Sequence, residues 1–352
     1  MRLSDFTYDL PPELIAQAPV RPRDHSRLLV LHRETGAIEH RRFLDLPEYL
    51  RAGDIAVFND TRVFPARLRG YREGDADEGQ ARDDRRGRVG VEALLLREIQ
   101  PGMWEALVKP GRRVRVGDRL VFGDGELGAD VVERTPDGGR VLSLRGVTDF
   151  DEVVARVGET PLPPYVHRAL DHPDDYQTIY ARRRGSSAAP TAGLHFTTRM
   201  MRALSERGVG TAWTTLHIGL ATFRPIREEE IERHPMHAEW CSVPAETVRA
   251  IAEARARGGR CVTVGTTTAR SLETCARTGE MRPFEGETDL YITPGHPFRA
   301  VDVLLTNFHM PHSTLLVLVC AFAGRESILA AYAEAVRERY RFLSFGDAML
   351  IT

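Results

Sequence analysis

The chain has 352 residues, of which 42% are hydrophobic and 28% are charged, and its formal net charge at pH 7 is −2. This composition is typical of a globular protein, and the length predicts two or three domains. The near-zero net charge excludes a protein that binds nucleic acid through an overall positive charge, although it leaves room for a local basic patch.

Cysteine spacing and apolar patterning exclude further classes of protein. The 4 cysteines show no C-x-x-C spacing, so neither a zinc site nor a disulfide framework is predicted. The amino-terminal segment MRLSDFTYDL lacks the cationic and apolar parts of a secretory signal. The longest apolar stretch, Leu315–Ala323, is far shorter than the ~20 residues of a membrane helix. We therefore expect a soluble, cytoplasmic protein with reduced thiols.

Residues 1–64 contain short buried strands separated by turns. Leu28–Leu31 and Ile55–Phe58 are continuous apolar runs of strand length. The second run is followed by the polar cluster Asn59–Arg62, in a position where α/β proteins tend to place ligand-binding groups. A plain Asx turn without any function explains the same cluster equally well.

Residues 65–151 differ from residues 1–64 in composition and in their predicted secondary structure. Arg72–Arg88 is rich in Gly, Asp and Arg and almost free of apolar residues, which predicts a solvated loop. About six strand-length segments are separated by turn signals, and no helical pattern intervenes between them. This pattern predicts a small antiparallel barrel or sandwich inserted in the chain. The segments are Ala66–Leu68, Val89–Ile99, Met103–Val108, Arg119–Phe122, Leu127–Arg134 and Arg140–Leu144.

Two basic segments are candidates for contact with an anionic partner. Lys109–Arg115 lies between two of the predicted barrel strands, and it holds Lys109, the only lysine of the chain. Arg182–Arg184 lies a few residues before Pro190. Both segments suit contacts with phosphate groups, but such runs are also typical of solvated surface turns.

A tight loop that leads into a helix is predicted at residues 189–198. Pro190 makes the chain enter this loop extended, and Gly193 permits a turn or a close approach of the backbone. The threonine pair that follows can cap the helix. Thr191 and His195 therefore flank a helix amino terminus, where backbone N–H groups favour an anion or a polarised substrate atom. A loop that only packs its apolar residues is the alternative.

Helical and strand patterns alternate from residue 196 to the end of the chain. This alternation predicts a largely parallel or mixed sheet with flanking helices. We expect a discontinuous α/β catalytic domain of residues 1–64 and 152–352, interrupted by an inserted small antiparallel β-barrel of residues 65–151. The predicted strands are Gly210–His217, Arg260–Val264, Asp289–Thr293 and Ala300–Leu305, and the predicted helices are Ala245–Arg257, Leu315–Phe322, Glu326–Arg339 and one that opens at Gly265.

Four polar clusters stand just beyond predicted strands or at predicted helix starts. Because such positions meet at one edge of a parallel sheet, we expect them to outline one cleft. The Gly265–Arg270 cluster offers backbone donors and hydroxyls to a nucleotide or phosphate, although it lacks the glycine-rich run of a P-loop. The clusters are Asn59–Arg62, Thr191–His195, Gly265–Arg270 and Thr306–His309.

Several histidines near this expected cleft suit acid–base catalysis, because the imidazole pKa lies near neutrality. A metal-dependent hydrolase is one alternative, but the histidines match no compact ligand motif, so we expect no metal. A non-enzymatic RNA-binding module is another, and it would need basic and aromatic patches without a polar cleft. The histidines are His195, His217, His237, His309 and His312.

Eight sequence blocks together resemble one family, the S-adenosylmethionine:tRNA ribosyltransferase-isomerases of queuosine synthesis. The blocks follow one another in the family's order and span nearly the whole chain. The chain departs from the family pattern at Ala221, where the family has glycine, and at Met310, where it usually has leucine. The blocks are Val57–Val63, Pro161–Tyr165, Tyr176–Tyr180, Ala189–Phe196, Thr215–Gly219, Val264–Glu273, Asp302–Gly324 and Tyr340–Ile351.

The resemblance implies an enzyme that consumes S-adenosylmethionine as a ribosyl donor, so no separate cofactor is expected. The implied acceptor is the aminomethyl group of 7-aminomethyl-7-deazaguanine at the wobble position of tRNA. The implied product is epoxyqueuosine in tRNA, with adenine and methionine released. Such chemistry needs a base for the proton beside the sulfonium and an acid for the departing adenine.

These demands lead to specific expectations for the matching blocks. We expect acid–base catalysis by His195 or His309, with Asp60 or Glu273 as an orienting carboxylate. We also expect a monomer without membrane contacts. The expected substrate-binding residues are Thr191, Gly193, Thr266, Thr267, Arg270, Glu273 and Asn307, and the expected tRNA-binding residues are Lys109, Arg112, Arg113, Arg115, Arg182, Arg183 and Arg184.

Overall fold

The computed structural model describes residues 1–73, 90–136, 138–146, 149–219 and 225–352. Contacts within the chain divide it into two compact units. The predicted loop Arg72–Arg88 lies outside the described residues from residue 74 onwards, and so does Ala221. The first unit comprises Met1–Arg62, Pro163–Arg184 and Ala188–Thr352, and the second comprises Val63–Leu162 and Gly185–Ser187.

The strands of the described residues are short, and most of them carry buried apolar side chains. In chain order they are β1 (Arg27–His32), β2 (Ala37–Arg42), β3 (Ile55–Asn59), β4 (Thr61–Val63), β5 (Arg67–Arg72), β6 (Gly90–Gln100), β7 (Met103–Lys109), β8 (Arg119–Phe122), β9 (Leu127–Arg134), β10 (Arg140–Arg145), β11 (Gly158–Glu159), β12 (Arg183–Ser186), β13 (Gly210–Leu216), β14 (Glu239–Val243), β15 (Cys261–Val264), β16 (Phe284–Thr288), β17 (Val303–Asn307) and β18 (Ala348–Ile351).

Some helices of the described residues begin at a side-chain cap. Thr197 accepts a hydrogen bond from the amide of Met200, so the cap predicted at the threonine pair is confirmed, and Ser313 likewise accepts one from the amide of Leu316. The helices are α1 (Phe150–Val157), α2 (Thr198–Glu206), α3 (Ala245–Ala256), α4 (Thr266–Cys275), α5 (Thr314–Ala323) and α6 (Arg325–Arg337).

The described residues of the first unit form a nine-stranded mixed sheet in the order β16-β14-β13-β3-β15-β17-β18-β1-β2. The central strands β13, β3, β15 and β17 are parallel to one another. The strand β18 runs antiparallel to β17 but parallel to β1. The strands β14, β16 and β2 join their neighbours in antiparallel fashion. The predicted α/β fold with a mixed sheet is therefore confirmed.

Helices cover both faces of this sheet because its strands are apolar on both sides. Along β1, Leu28 and Val30 pack in the cluster that contains Met200 of α2. The alternate residues Leu29 and Leu31 pack in the cluster that contains α5 and α6. Ile55 and Val57 of β3 share a third cluster with α3 and α4. The period-2 alternation of side chains thus assigns each helix to its face.

Parallel pairing brings several predicted polar clusters to one edge of the sheet. In β3 and β13, Asn59 is paired with Thr214, and in β15 and β17, Val264 is paired with Leu305. The antiparallel β18 begins at this same edge, because Ala348 is paired with Asn307. The edge therefore gathers the ends of β3, β15 and β17 and the segment before β18.

The second unit contains a closed antiparallel barrel of six strands formed by described residues. The order is β5-β6-β7-β10-β9-β8, and a further pairing of β5 with β8 closes it. Alternate residues of β7, such as Trp104, Ala106 and Val108, are buried inside. The predicted inserted barrel is confirmed. The unit continues to Leu162, beyond the expected end at residue 151, and β11 pairs with β5.

Two expectations about strands differ from the structure. The segment predicted as a strand at Asp289–Thr293 has no strand, and the strand β16 lies just before it. The strand β16 has the sequence FEGET, of which only Thr288 is buried, so its pairing with β14 rather than an apolar pattern defines it. The strand β2, at the opposite edge of the sheet, lacks an apolar pattern for the same reason.

Within the described residues, no single helix is both long and apolar enough to cross a membrane. Only α5 and α6 taken together reach such a length and composition, and they meet at a bend of 115°.

Candidate active site

A cleft opens in the first unit at the carboxyl edge of the central strands. The space between its lining residues, open solvent at the mouth included, is about 770 Å³. The loop before α2, the start of α4 and the end of β17 contribute to its walls. Five residues expected at a site line it: Thr191, Thr266, Thr267, Asn307 and His309.

The described walls of this cleft contain no lysine, arginine, aspartate or glutamate. Their ionisable side chains are His309 and Tyr165. Burial lowers the pKa of His309 to about 3 and raises the pKa of Tyr165 above its usual value. Both side chains are therefore neutral near pH 7. A ligand in this cleft meets hydrogen-bonding groups and apolar surface rather than charged side chains.

A chain of hydrogen bonds runs through Thr191, Asn307, His195 and Ser26. The hydroxyl of Thr191 donates to Asn307 Oδ1 over 2.8 Å. The amide nitrogen Nδ2 of Asn307 lies 3.2 Å from His195 Nε2, and His195 Nδ1 lies 2.8 Å from Ser26 Oγ. Because an amide nitrogen only donates, Nε2 of His195 accepts, and the proton of the neutral ring is on Nδ1. The network thus orients the Asn307 amide in the wall of the cleft.

The environment of His195 keeps its imidazole neutral. The ring stacks on Phe43 with centroids 4.9 Å apart, and the residue is 5% exposed. Burial lowers its pKa to about 3. His195 does not line the described wall of the cleft. Its Nε2 is hydrogen-bonded to Asn307, which does line that wall.

His309 lies in the wall of the cleft with one ring nitrogen occupied. Its Nε2 lies 2.8 Å from the hydroxyl of Thr306, and its backbone amide donates to Tyr332. Within the part of the chain that the structure describes, no hydrogen bond reaches its Nδ1. His309 is 8% exposed. It therefore offers one ring nitrogen for contact with a ligand.

Several cleft residues were not expected from the sequence. Tyr165 and Ser344 line the cleft and share a hydrogen bond of 2.8 Å between their hydroxyls. Thr306 and Ser313 add further hydroxyls. Tyr165 lies in the family block Pro161–Tyr165, and Ser344 lies in the family block Tyr340–Ile351. A hydroxyl side chain within a family block was the one sequence feature that could have indicated a place in the cleft.

Asp60 lies outside the described wall of the cleft, although it follows a central strand. Its Oδ1 accepts from the hydroxyl of Thr215 over 2.6 Å, and its Oδ2 pairs with Arg182 over 3.0 Å. Neither oxygen contacts His195 or His309 in the described structure. The expected pairing of this carboxylate with a catalytic histidine is therefore not seen.

Arg270 and Glu273 also lie away from the described wall of the cleft. The buried guanidinium of Arg270 pairs with Glu239 and donates to three backbone carbonyls, those of His237, Thr288 and Leu290. Glu273 accepts from the amides of residues 299 and 300. Their expected place beside a substrate is thus taken by contacts within the protein, because both lie one to two turns beyond the start of α4 that lines the cleft.

Gly193 serves close packing. A Cβ at this position would lie 2.0 Å from the hydroxyl of Tyr180 and 2.9 Å from Cγ2 of Thr178. The glycine therefore lets the turn Thr191–His195 approach these side chains, and the described wall of the cleft does not include it.

The basic loop of the barrel unit is held in shape by Arg140. The guanidinium of this buried residue donates to the carbonyls of Gly111 at 2.6 Å and Val114 at 2.8 Å. Val114 is fully buried, which fixes the loop to the barrel. Its cationic neighbours are exposed, and no ion pair joins their side chains to described residues. They are Lys109, Arg112, Arg113 and Arg115.

The three arginines of the second basic segment differ in their surroundings. Arg182 pairs with Asp60 and lies over the ring of Trp213 at 5.0 Å. Arg183 is exposed, and Arg184 is half-buried. Arg183 is therefore the member most accessible to an external anion.

Within the described residues, no group of three or more His, Cys, Asp or Glu side chains could hold a metal ion.

Known proteins resemble this chain over its whole length. The profile of the family described as queuosine biosynthesis protein matches residues 3–351. Proteins named S-adenosylmethionine:tRNA ribosyltransferase-isomerase from Symbiobacterium thermophilum and Moorella thermoacetica are 55% and 53% identical, over 100% of this chain and of each relative. A crystal structure of S-adenosylmethionine tRNA ribosyltransferase from Thermotoga maritima is 41% identical, with a TM-score of 0.56 over 99% of this chain and 100% of that chain. The chain therefore belongs to the queuosine biosynthesis protein family, as its sequence blocks predict.

Proposed function

We propose that the chain transfers and isomerises the ribosyl group of S-adenosylmethionine onto 7-aminomethyl-7-deazaguanine at the tRNA wobble position. The product is epoxyqueuosine in tRNA, and adenine and methionine are released. The observation that carries this proposal is the 55% identity, over the full length, with a relative named for this class of enzyme.

The geometry of the cleft supports a sulfonium nucleoside as the ligand. Its apolar lining includes Phe308 and Leu343, which suit a purine ring, and its hydroxyls suit a ribose. The absence of carboxylates from its described walls keeps the sulfonium charge unpaired. An unpaired positive charge makes the adjacent ribose carbon more acidic, which the reaction requires.

We assign the acid–base role to His309 rather than to His195. His309 lines the cleft and has Nδ1 available, so it can reach the proton on the carbon beside sulfur. His195 acts as a positioning residue, because both of its ring nitrogens are engaged and it orients Asn307. Asp60, Arg270 and Glu273 have no part in this assignment.

The exposed cations of the Lys109–Arg115 loop, with Arg182–Arg184, are proposed to contact the tRNA backbone. The loop offers exposed charges on a backbone fixed by Arg140. Contacts with phosphates make affinity fall steeply with salt. Replacing Arg112 and Arg113 by glutamine is expected to reduce both the tRNA affinity and the slope of its salt dependence.

The test of the function is incubation with S-adenosylmethionine and tRNA that carries the aminomethyl base. Adenine and methionine are expected in equal amounts, and the mass of the modified nucleoside should increase by the transferred ribosyl unit. His309→Gln is expected to lower kcat by ~100-fold or more. Release of neither product by the wild-type chain would exclude the proposed reaction, and a loss smaller than tenfold in His309→Gln would exclude His309 as the base.

A metal hydrolase makes a different prediction in the same assay. Chelators should abolish its activity, whereas the proposed reaction should proceed at an unchanged rate.

A further inference from the structure

The start of α4 presents unpaired hydrogen-bond donors beside the cleft. The backbone amides of Thr266, Thr267 and Thr268 have no acceptor within the described residues. No side chain caps this end, because the residue before the helix is Gly265, with φ +91° and ψ 149°. Buried amides of this kind require an acceptor from outside the helix.

The side chain of Thr266 gives an independent sign of a missing partner. Thr266 is 7% exposed and lines the cleft. In the described structure its hydroxyl makes no hydrogen bond. The hydroxyl oxygen is not among the fully enclosed atoms, so it faces the open space of the cleft, where a ligand that accepts or donates a hydrogen bond can reach it.

The free amides and the hydroxyl at the start of α4 are hydrogen-bond donors, so they favour an anionic ligand. The first amides of a helix carry its positive dipole end, and they bind carboxylates and phosphates without help from a cationic side chain. The described walls of the cleft hold no such cation. We propose that the start of α4 binds the carboxylate of the amino-acid part of S-adenosylmethionine, an inference that rests on the proposed function.

The other oxyanion among the substrates is a phosphate of the tRNA backbone. The burial of the start of α4 makes it a less suitable ligand there than the carboxylate. Thr266 is 7% exposed and Thr268 is fully buried. A backbone phosphate carries an ester-linked sugar on each side, which must enter with it. The carboxylate stands at the end of a flexible chain, so it can reach a buried helix terminus alone.

The test compares S-adenosylmethionine with its decarboxylated analogue by calorimetric binding to the full chain, without tRNA. The analogue has the same adenosine and sulfonium groups but lacks the carboxylate. Wild-type chain is expected to bind the analogue about tenfold or more weakly, since hydrogen bonds to a charged group are involved. Thr266→Val removes the hydroxyl and should lower affinity for S-adenosylmethionine several-fold, with little change for the analogue.

Thr266→Pro removes the first amide of α4 as well as the hydroxyl. Proline is tolerated at the first position of a helix, and Gly265 already has the extended ψ of 149° that proline requires of its predecessor. The matched control is Arg325→Pro, because α6 also follows a glycine of similar geometry, Gly324 with φ +85° and ψ 138°. Circular dichroism checks that all variants fold.

The expected result is that Thr266→Pro loses about tenfold or more in affinity for S-adenosylmethionine and keeps its affinity for the analogue. The control should bind both compounds as the wild type does. Equal affinities of the wild type for the two compounds, or equal losses for both in Thr266→Pro, would overturn the carboxylate site. In a separate titration with tRNA, a loss of tRNA affinity in Thr266→Pro, together with unchanged binding of S-adenosylmethionine, would assign the site to a phosphate and also overturn the carboxylate site. Failure of the wild type to bind either compound would instead remove the proposed function, and this inference with it.

Discussion

His195 makes the stability of the protein depend on pH in a way that can be calculated. Its pKa is about 3 in the folded chain, because of burial, against about 6.5 in an unfolded chain. Between these values the unfolded chain binds a proton that the folded chain does not. Acidification through this window therefore favours unfolding, and the contribution is fully present only above pH 6.5.

The magnitude follows from the two pKa values. Between pH 7 and pH 5, His195 costs the folded state about 2 kcal/mol. We predict that His195→Gln loses about 2 kcal/mol less than the wild type over this interval, whatever its stability at pH 7. His309 has the same lowered pKa, so His309→Gln should behave alike.

The assay is urea unfolding of wild type and variants at pH 7, 6 and 5, followed by circular dichroism. Because other groups also titrate in this interval, the quantity to compare is the change in the free energy of unfolding relative to wild type. His167→Gln is the matched control, since it makes the same substitution at an exposed histidine. If His195→Gln retains the wild-type pH dependence, the neutral buried ring described here is refuted.

Three further predictions concern residues outside the acid–base assignment. Gly193→Ala should destabilise the protein by about 1–3 kcal/mol in urea unfolding, because the new Cβ overlaps the hydroxyl of Tyr180, and Tyr180→Phe should restore part of the loss. Arg270→Met should cost about 3–5 kcal/mol in the same measurement, because it removes the guanidinium that pairs with the buried carboxylate of Glu239. Arg140→Leu should weaken tRNA binding at low salt while the affinity for S-adenosylmethionine stays unchanged, because the basic loop loses its support.

Two control variants and two contrary outcomes test these predictions. Gly90→Ala adds a methyl group in open space and should be neutral. Arg134→Leu removes an exposed barrel arginine and should leave the loop intact. Wild-type stability in Arg270→Met, together with a large rise in the KM for S-adenosylmethionine, would return Arg270 to a substrate-binding role. Equal tRNA affinities of Arg140→Leu and wild type would exclude support of the loop.

Local pattern was enough to predict the barrel and the central strands of the sheet. The segments 103–108, 119–122 and 127–134 coincide with β7, β8 and β9 to within one residue. Alternation along a strand and turns between strands are encoded by neighbouring residues, so they are readable without the fold. The edge strand β16 has no such signal, because pairing with β14 defines it.

The hydrogen-bond and ion-pair partners of side chains could not be predicted from the local sequence pattern. Arg270 stands in a family block next to the threonines of α4, and sequence proximity suggested one site for all of them. Residues four apart lie on the same side of a helix, but each residue advances about 1.5 Å along the axis, so Arg270 lies ~6 Å beyond Thr266 and does not line the cleft. The structure brings Arg270 to Glu239, which is 31 positions away along the chain.

The sequence by itself determined the mixed α/β architecture, the inserted barrel, the family and three of the four clusters expected at the cleft, because apolar periodicity and family blocks are properties of neighbouring residues; Asn59–Arg62 does not line it. Only the tertiary structure decided which side chains line the cleft. Asn307 lies in the wall with His195 bonded to it, and Asp60 pairs with Arg182 instead. The reason is that burial and hydrogen-bond partners arise between residues distant in the chain, and these determine whether an ionisable group is charged, engaged or free to act.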